Sequence, residues 1–150
     1  MKGDANPGMN WFYWALLSAF FAGLTAILAK VGVAGVNSNL ATAIRTTVVL
    51  VFTWGLALAT TRPSAILELD RRTWLFLTLS GLATGLSWLC YFRALQLGEA
   101  SRVAPVDKLS VVFVLVFAAL FLREPLTWQQ WAGGLLIVAG AVILAWPGAQ

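Results

Sequence analysis

The sequence predicts an all-α membrane protein, and three observations support that fold class. Hydrophobic residues make up 60% of the 150-residue chain and charged residues only 11%, whereas about 25% of the residues of an ordinary soluble domain are charged. Five apolar stretches approach the ~20 residues that a helix needs to cross a bilayer. Tryptophan residues lie near the ends of these stretches, where amphipathic rings favour the headgroup level. The predicted helices span about 11–30, 40–61, 74–97, 103–122 and 127–146.

The first two helices are separated by residues that favour turns. We expect residues 1–10 to form an N-terminal tail and not a signal peptide, because the following apolar stretch exceeds the ~7–15 residues of a signal-peptide core. Gly35 and Asn37 then break the chain before the second helix. The longest and most polar link follows the second helix and opens with Arg62.

The last three helices follow one another through short links. Glu99 lies in the link before the fourth helix, and Pro125 lies in the link before the fifth. Thr127, followed three residues later by Gln130, predicts a capping box at the start of the fifth helix. Because no link is long enough to fold by itself, we expect one five-helix domain with a short tail at each end. The predicted tail, domain and tail are 1–10, 11–146 and 147–150.

Small residues indicate which helix faces are expected to pack. Gly81 and Gly85 form a GxxxG pattern in the third helix, and Gly133 and Gly140 lie seven residues apart in the fifth. Such stripes let helix backbones approach closely in lipid, where no hydrophobic effect drives helices together. The pattern predicts helix contacts at these glycines, either within one chain or between two chains.

An odd number of spans puts the two termini on opposite sides of the membrane, which we call side A (N-terminal) and side B. Five basic residues on side A against two in the links on side B favour a cytoplasmic N-terminus. Three more basic residues lie inside the spans near side B, and counting them makes the two sides equal. That balance is compatible with dual topology, in which copies insert in both directions. Side A has Lys2, Arg62, Arg71, Arg72 and Arg123, the side B links have Lys30 and Arg102, and the spans contain Arg45, Arg93 and Lys108.

Charged residues near side B form a polar layer within or beside the predicted spans. A charge at a helix centre costs about 2.5–3.5 kcal/mol on insertion scales, so such residues usually face a polar interior or a partner. All of these residues lie in the outer third of the membrane, where long side chains reach the headgroups at lower cost. The polar layer comprises five cations and two anions, Lys30, Arg45, Arg93, Arg102, Lys108, Glu99 and Asp107.

Two interpretations of the polar layer are open. In the structural one, Asp107 pairs with Arg93 or Arg45, and the other cations extend to the headgroups. In the functional one, the layer is a gate or vestibule that attracts an anionic or zwitterionic metabolite, with Asp107 as a proton site. Adjacent helical residues point about 100° apart, so we expect no pairing between Asp107 and Lys108. We expect Asp107 and Ser110 to face the interior.

Aromatic residues and Pro105 complete the candidate site. Trp88 lies deep in the third helix, where it either packs against helices and lipid or forms a wall of a substrate cavity. If the fourth helix begins near Ser101, Pro105 falls in its first turn, where the missing N–H costs little. Asp107 would then lie near the positive end of the helix, which stabilises its charged form. The candidate substrate-binding or gate residues are Arg45, Trp88, Tyr91, Arg93, Asp107, Lys108 and Ser110.

The composition argues against several other classes of protein. The chain has no histidine, the commonest general base, and Cys90 is its only cysteine. No nucleophile–base pair or metal-ligand set is apparent, so we expect neither an enzyme nor a bound metal or cofactor. The longest basic run is the pair Arg71-Arg72. The basic residues, which give a net charge of +4, are therefore expected to contact anionic lipid headgroups and not nucleic acid.

The sequence around the polar layer resembles a known transporter module. Residues 91–110 are similar to the core of the EamA module of the drug/metabolite transporter superfamily. Residues 121–127 and the glycine-bearing helix after them also resemble this module, although Arg123 stands where the family usually has glycine. The resemblance covers nearly the whole chain, and 104–110 resembles the five-span branch of bacterial and archaeal transporters in particular.

This resemblance implies a fold and a partner. Most relatives have ten spans built from two modules of inverted orientation, whereas this chain has one module, a half-transporter bundle. The first four spans are then expected to line a central path, with the fifth packed outside. Transporter sites commonly lie at the interface of inverted repeats. A single module is therefore expected to form a homodimer, and an antiparallel dimer would reproduce the ten-span arrangement.

One departure from the superfamily narrows the expected mechanism. Small multidrug-resistance relatives use a glutamate in the first span, whereas the polar residues of that span here are Ser18 and Thr25. This difference disfavours proton–cation exchange and cationic drugs. The leading hypothesis is a dimeric inner-membrane transporter that moves a small anionic or zwitterionic metabolite by alternating access. The alternatives are a non-transporting membrane subunit that assembles with a partner protein, and a flippase for a lipid-linked carrier.

Overall fold

The computed structural model describes residues 7–146, and within this range it contains helices and turns but no strand. The α-helices are α1 Pro7–Gly32, α2 Ser38–Thr60, α3 Arg71–Leu97, α4 Ala100–Asp107, α5 Ser110–Phe117 and α6 Trp128–Ala145. A 3-10 helix, Pro63–Ile66, follows α2, and a π-helical turn, Ala118–Leu122, follows α5. Five segments are long and apolar enough to cross a membrane, Trp11–Gly32, Ser38–Thr60, Arg71–Leu97, Ala100–Leu122 and Trp128–Ala145. The predicted all-α membrane fold with five spans is confirmed.

Side-chain caps set the starts of α2 and α3. The Asn37 side chain accepts a hydrogen bond from the Asn39 N–H at 2.9 Å, at the start of α2. The Asp70 Oδ1 accepts one from the Thr73 N–H at 3.0 Å. These caps satisfy N–H groups that lack partners in the first helical turn. Because of the Asp70 cap, α3 begins at Arg71, in the polar link, and not at 74 as the apolar pattern predicted.

The ends of the chain are only partly described. Helix α1 begins at Pro7, inside the 1–10 stretch that the sequence predicted as a tail. The rest of that stretch, including Lys2, lies outside the described residues, as does the predicted C-terminal tail 147–150.

The fourth span is two short helices and not the single predicted helix. Helix α4 ends at Asp107 and α5 begins at Ser110. Between them, the Leu109 N–H donates to the Val106 carbonyl at 3.0 Å, and the Val111 N–H donates to the Lys108 carbonyl at 3.0 Å. These bonds join residues three apart, which is the tighter 3-10 pattern. The backbone therefore changes its helical pitch in the middle of the candidate site.

Pro105 precedes this break, and the hydrogen bond that it cannot make is the one to the Ser101 carbonyl, upstream of the break. Helix α4 begins at Ala100, so Pro105 lies inside the helix and not in its first turn as predicted. A proline there has no N–H to donate four residues back, and its ring crowds that carbonyl. Asp107 is the last residue of α4, so it does not lie near the positive N-terminal end of that helix.

The described residues form two compact units. One comprises 7–31 with 98–146, and the other comprises 32–97. In the second unit, α2 packs against α3. In the first, α6 packs against α4 and α5, so the fifth span covers both halves of the broken fourth span.

A glycine brings α5 and α6 close together. A β-carbon built on Gly134 would lie 3.0 Å from the Leu115 Cδ1, whereas a β-carbon on Gly133 or Gly140 would meet nothing within 4 Å. Gly134 and Ala141 are the buried pair, seven residues apart. Within one chain, the buried stripe of α6 is therefore offset by one residue from the predicted Gly133 and Gly140, whose role in contacts between two chains stays a prediction. The GxxxG glycines of α3, Gly81 and Gly85, also have open space at the β-carbon position.

The predicted capping box at the start of α6 is confirmed. The Gln130 N–H donates to the Thr127 Oγ1 at 3.4 Å, and the Thr127 N–H donates to the Gln130 Oε1 at 2.7 Å. The two residues thus satisfy each other's backbone N–H group.

A left-handed residue ends the fourth span. Arg123 has φ 53° and ψ 34°, and the N–H groups of Arg123 and Glu124 both donate to the Ala118 carbonyl. Only glycine adopts this backbone conformation without a steric penalty. Glycine, which the sequence resemblance implies at this position, would adopt the same geometry without that penalty.

Candidate functional site

The predicted site residues divide between the two compact units. The second unit contains Arg45 on α2 and Trp88, Tyr91 and Arg93 on α3, and the first contains Asp107, Lys108 and Ser110 at the α4–α5 break.

In the second unit, Arg45 stacks on aromatic rings of α3. Its Cζ lies 4.3 Å from the Trp88 ring centroid and 5.5 Å from the Phe92 ring centroid. Arg45 is half-buried, and at 1.5 Å per residue it lies about 10 Å from the start of α2. A cation over a ring within ~6 Å is attracted by the negative ring face, more strongly where water is excluded. The structure therefore brings together two predicted site residues, Arg45 and Trp88.

Arg93 is held in a short chain of hydrogen bonds. Its Nη1 donates to the Gln96 Oε1 at 3.1 Å. The Gln96 Nε2 in turn donates to the Val36 carbonyl, which lies before the start of α2. Because the Val36 carbonyl can only accept, it orients the Gln96 amide so that its oxygen faces Arg93. Gln96 is therefore the residue that positions the Arg93 guanidinium.

We call Arg45 and Arg93 the arginine pair, and neither has a carboxylate on its own helix or on the helix packed against it. The sequences of α2 and α3 contain no aspartate or glutamate. The acidic residues of the second unit, Glu68 and Asp70, lie in the link between the other ends of these helices. The ring face of Trp88 contacts the Arg45 guanidinium, and the Gln96 amide oxygen accepts from the Arg93 guanidinium. Neither contact neutralises the positive charge. A guanidinium has five N–H donors in a planar fork that suits carboxylate and phosphate oxygens.

Tyr91 lies on the same helix as Trp88, one turn further along. Its side chain is half-buried, as is that of Trp88, and residues three apart share a helix face. Three of the predicted site residues, Arg45, Trp88 and Tyr91, thus form one local group, with the exposed Arg93 beside it on α3.

In the first unit, Asp107 and Lys108 form an ion pair, with Lys108 Nζ 3.3 Å from Asp107 Oδ2. The prediction that these adjacent residues would not pair was wrong. It assumed a continuous helix, whereas Lys108 follows the end of α4 with ψ −9°. Asp107 is half-buried, and Lys108 and Ser110 are exposed. The break in the fourth span thus carries a locally neutralised pair of opposite charges.

The other charged residues of the first unit also have local partners. Arg102 Nε lies 3.2 Å from Glu99 Oε2, one helical turn apart. Lys30 Nζ donates to the Gly98 carbonyl at 2.7 Å, which ties the end of α1 to the turn before α4. Both anions of the polar layer are therefore paired within the first unit, Asp107 with Lys108 and Glu99 with Arg102. The arginine pair belongs to the second unit.

Sequence reasoning missed the residues that hold the arginine pair. Phe92 is buried and follows Trp88 by four residues, and Gln96 follows Arg93 by three. Residues three and four apart share a helix face, so this spacing could have identified both. Nothing in the sequence pointed to the Val36 or Gly98 carbonyl, because every residue has a backbone carbonyl and the residue type does not show which one accepts. Within 7–146, no cluster of three or more His, Cys, Asp or Glu could hold a metal ion.

The chain is similar over most of its length to proteins that are named as transporters. A protein of a Sinorhizobium species named "Uncharacterized transporter in cobO 3'region" is 57% identical over 136 residues, which cover 91% of this chain and 96% of that protein. An "Uncharacterized transporter" of Methanothermobacter thermautotrophicus is 26% identical over 151 residues, covering 95% of this chain but 41% of that protein. No solved structure matches the chain.

A third relative has a more specific name. The "Probable 4-amino-4-deoxy-L-arabinose-phosphoundecaprenol flippase subunit ArnE" of Pseudomonas fluorescens is 32% identical over 85 residues, covering 56% of this chain and 72% of that protein. These names indicate a transporter and not an enzyme, and the five apolar helices indicate an integral membrane protein. Residues 9–146 match the EamA-like transporter family, to which this chain therefore belongs.

Proposed function

We propose that this transporter moves a small anionic or zwitterionic metabolite across the bacterial or archaeal cytoplasmic membrane. It works as a homodimer by alternating access, with its N-terminus in the cytoplasm in at least one of the two copies. The observation that carries the substrate class is the arginine pair, Arg45 and Arg93, two guanidinium groups within spans that contain no carboxylate.

The contacts of the arginine pair support its role in binding an anion. Charged residues within a membrane usually face the interior and have a partner. The face of Arg45 lies against Trp88, which leaves the edge of its fork for an oxygen ligand. One nitrogen of Arg93 is used by Gln96, and its other donors can bind a carboxylate or phosphate. The aromatic rings beside Arg45 would contact the apolar part of the same molecule.

The break in the fourth span supports the conformational part of the proposal. Transporter sites are often built where a spanning helix is discontinuous. Here the discontinuity lies between α4 and α5 and carries Asp107, Lys108 and Ser110. We assign these residues to a gate, in which the Asp107–Lys108 pair opens or closes as the backbone at the break changes.

The homodimer is supported by the Sinorhizobium relative, because a single module aligns with 96% of that protein. The family relatives of this chain include proteins more than twice its length, since the alignment covers 41% of the Methanothermobacter transporter. Two copies would supply the number of spans that the ten-span relatives have in one chain. The nearly equal basic charge of the two sides is compatible with an antiparallel pair.

Uptake into proteoliposomes tests the role of the arginine pair. Arg45→Gln and Arg93→Gln each remove one cation from a pair of packed helices that contain no carboxylate, and we expect each variant to lose most of the uptake. Arg102→Gln is the matched control, because it removes the same charge from a residue already paired with Glu99. We expect this control to keep wild-type uptake at equal protein level. Equal losses in all three variants, or no loss in any, would refute this assignment.

A second candidate function is a subunit of a flippase for a lipid-linked carrier. The specific observation in its favour is the similarity to the Pseudomonas fluorescens protein, which is named as a probable flippase subunit for a phosphoundecaprenol-linked sugar. A phosphate of such a carrier would also suit the arginine pair. Uptake of a water-soluble metabolite by the protein alone supports the first candidate. Translocation of a lipid-linked phosphate that requires a second, different chain supports the flippase subunit.

A further inference from the structure

We propose that the link between α2 and α3, residues 61–70 with the first turn of α3, is an anchor that binds anionic lipid headgroups. This interaction surface lies on side A, at the opposite ends of these helices from the arginine pair. The proposal does not depend on which molecule the protein transports.

The link is an ordered structure with apolar side chains on its outside. The Leu67 N–H donates to the Ser64 carbonyl at 2.9 Å, and the Glu68 N–H donates to the Ala65 carbonyl at 3.3 Å. Despite this order, Leu67 is 87% exposed, and Leu69 is also exposed. Both residues lie outside the spans, so the hydrocarbon core around the spans does not explain them. Exposed apolar side chains beside the ends of spans can insert into the boundary between headgroups and acyl chains.

Basic side chains precede and follow these leucines along the chain. Arg62 precedes the 3-10 helix, and Arg71 and Arg72 open α3, and all three are exposed. The Cζ of Arg72 lies 5.8 Å from the ring centroid of Phe76, one turn further along α3. Phe76 is itself exposed and lies within the span. This contact directs the Arg72 guanidinium along α3 toward Phe76 and the span, which is toward the boundary between headgroups and acyl chains.

The two acidic residues of the link do not cancel this charge. Three arginines against Glu68 and Asp70 leave a net charge of +1 in this segment. The Asp70 carboxylate also caps α3, where it accepts the Thr73 N–H. Leucine, tryptophan and arginine together are typical of segments that lie in the membrane interface. Trp74, exposed in the first turn of α3, adds a side chain that favours the headgroup level. Lipid is the favoured partner because the link joins two spans and so lies at the bilayer surface, and because guanidinium forks suit phosphate oxygens.

Site-directed spin labelling can measure the depth of this link. Cys90 is the only cysteine, so Cys90→Ser gives a background into which Leu67→Cys, Glu68→Cys or Leu75→Cys is introduced. Collisions with oxygen, which partitions into lipid, and with a water-soluble nickel complex report the depth of each label. Glu68→Cys is the reference for a polar neighbour, and Leu75→Cys is the reference for the membrane-spanning part of α3.

We expect the label at 67 to lie closer in depth to that at 75 than to that at 68. We also expect it to lie deeper in vesicles containing phosphatidylglycerol than in vesicles of phosphatidylcholine alone. Arg71→Gln with Arg72→Gln should remove the difference between the two vesicles. A label at 67 that the nickel complex reaches as readily as at 68 in both vesicles would overturn the proposal. A label shielded from both reagents would also overturn it, because that result indicates a protein partner.

A second measurement leaves Leu67 intact. Native mass spectrometry of the protein released from mixed phosphatidylglycerol and phosphatidylcholine counts the lipids that remain bound. We expect the Arg71→Gln, Arg72→Gln double variant to lose phosphatidylglycerol selectively, and the Arg102→Gln control to retain it. Equal retention by the wild type and the double variant would contradict the charge part of the proposal. Neither measurement uses a transported substrate, so failure of the proposed transport function would not affect the outcome.

Discussion

Arg123 has a left-handed backbone conformation that disfavours any residue with a β-carbon. Its φ is 53°, and among the described residues 7–146 it is the one non-glycine residue with a positive φ. The glycine with a positive φ in that range is Gly35, at 73°. A left-handed conformation costs a residue with a β-carbon about 1–2 kcal/mol. We therefore expect Arg123→Gly to raise the free energy of unfolding by about 1 kcal/mol, measured in detergent.

The converse substitution provides the control for Arg123→Gly. Gly35→Ala places a β-carbon on a left-handed backbone, so we expect it to lower the free energy of unfolding by a similar amount. If both variants change stability in the same direction, backbone conformation does not decide the effect at these positions.

Gln96 gives a second prediction at the scale of one residue. Gln96→Glu places a carboxylate where the amide oxygen now accepts from Arg93, and this carboxylate would compete with an anionic ligand. Gln96→Leu loses the same Val36 contact but leaves Arg93 without a competing charge. We expect Gln96→Glu to weaken anion binding more than Gln96→Leu does, measured by thermal stabilisation with ligand. Equal effects of the two variants would show that only the position of Arg93 matters.

Single side chains were predictable where a residue type dictates its partner. Thr127 and Gln130 form the expected capping box because both partners lie within one helical turn. The Asp107–Lys108 pair was not predictable in this way, since it depends on the departure from helical geometry after Asp107. The pairing of charges in the polar layer therefore followed local backbone geometry, which the apolar pattern does not encode.

At the scale of elements, the start of α3 depends on pH through Asp70. Hydrogen bonds from the Thr73 side chain and then from its backbone N–H hold the pKa of Asp70 below its ordinary value. A carboxyl with a lower pKa in the folded state contributes stability above its unfolded pKa, and this is lost as the pH falls through the folded pKa. An asparagine at this position would keep the capping oxygen without the charge. We expect the wild type to exceed Asp70→Asn in Tm at neutral pH, and the difference to vanish in acid.

The effect at Asp70 should be small because its side chain is fully exposed and water screens its charge. Thermal unfolding of both proteins in detergent across the acid range measures it. A Tm difference that stays constant from neutral pH to strong acid would mean that the charge of Asp70 plays no part.

The contact between α5 and α6 gives a further prediction at this scale. Gly134→Ile would place branched carbons against Leu115, whose Cδ1 already lies 3.0 Å from a β-carbon built at this position. Overpacking of this kind costs about 1–3 kcal/mol. We expect Gly134→Ile to lower the free energy of unfolding by that amount and Leu115→Ala to restore part of it in the double variant.

Gly133 is the matched control for Gly134, since a β-carbon there meets nothing within 4 Å. We expect Gly133→Ile to leave stability nearly unchanged in detergent. If it is as damaging as Gly134→Ile, the loss comes from helix flexibility or lipid contact and not from packing against Leu115.

The spans were predictable as elements because their length and apolar character are set by the bilayer. Their internal irregularities were less so. Pro105 was visible in the sequence, but its place in the helix depends on where α4 begins. That start is Ala100, before the 103 that the apolar pattern predicted. The π-helical turn Ala118–Leu122 has an apolar sequence like that of any other span, so nothing in its composition distinguished it from an α-helix.

At the scale of the whole molecule, the proposal requires two modules for one transport path. We expect the purified protein to have the mass of two identical chains after correction for bound detergent, measured by light scattering. In an antiparallel dimer, a single cysteine introduced by Glu68→Cys in the Cys90→Ser background would react with impermeant reagents from both sides of the membrane. A single chain, or a different chain that co-purifies in equal amount, would favour the membrane-subunit alternative over a homodimer.

The central claim is that the arginine pair binds the anionic part of the transported molecule. The most direct test is thermal stabilisation of the purified protein by a panel of matched anionic, zwitterionic, neutral and cationic metabolites. We predict that anionic or zwitterionic compounds raise the Tm of the wild type and of Arg102→Gln but not of Arg45→Gln or Arg93→Gln. Stabilisation by cationic compounds, or by the same anions in the Arg45→Gln and Arg93→Gln variants, would contradict the claim.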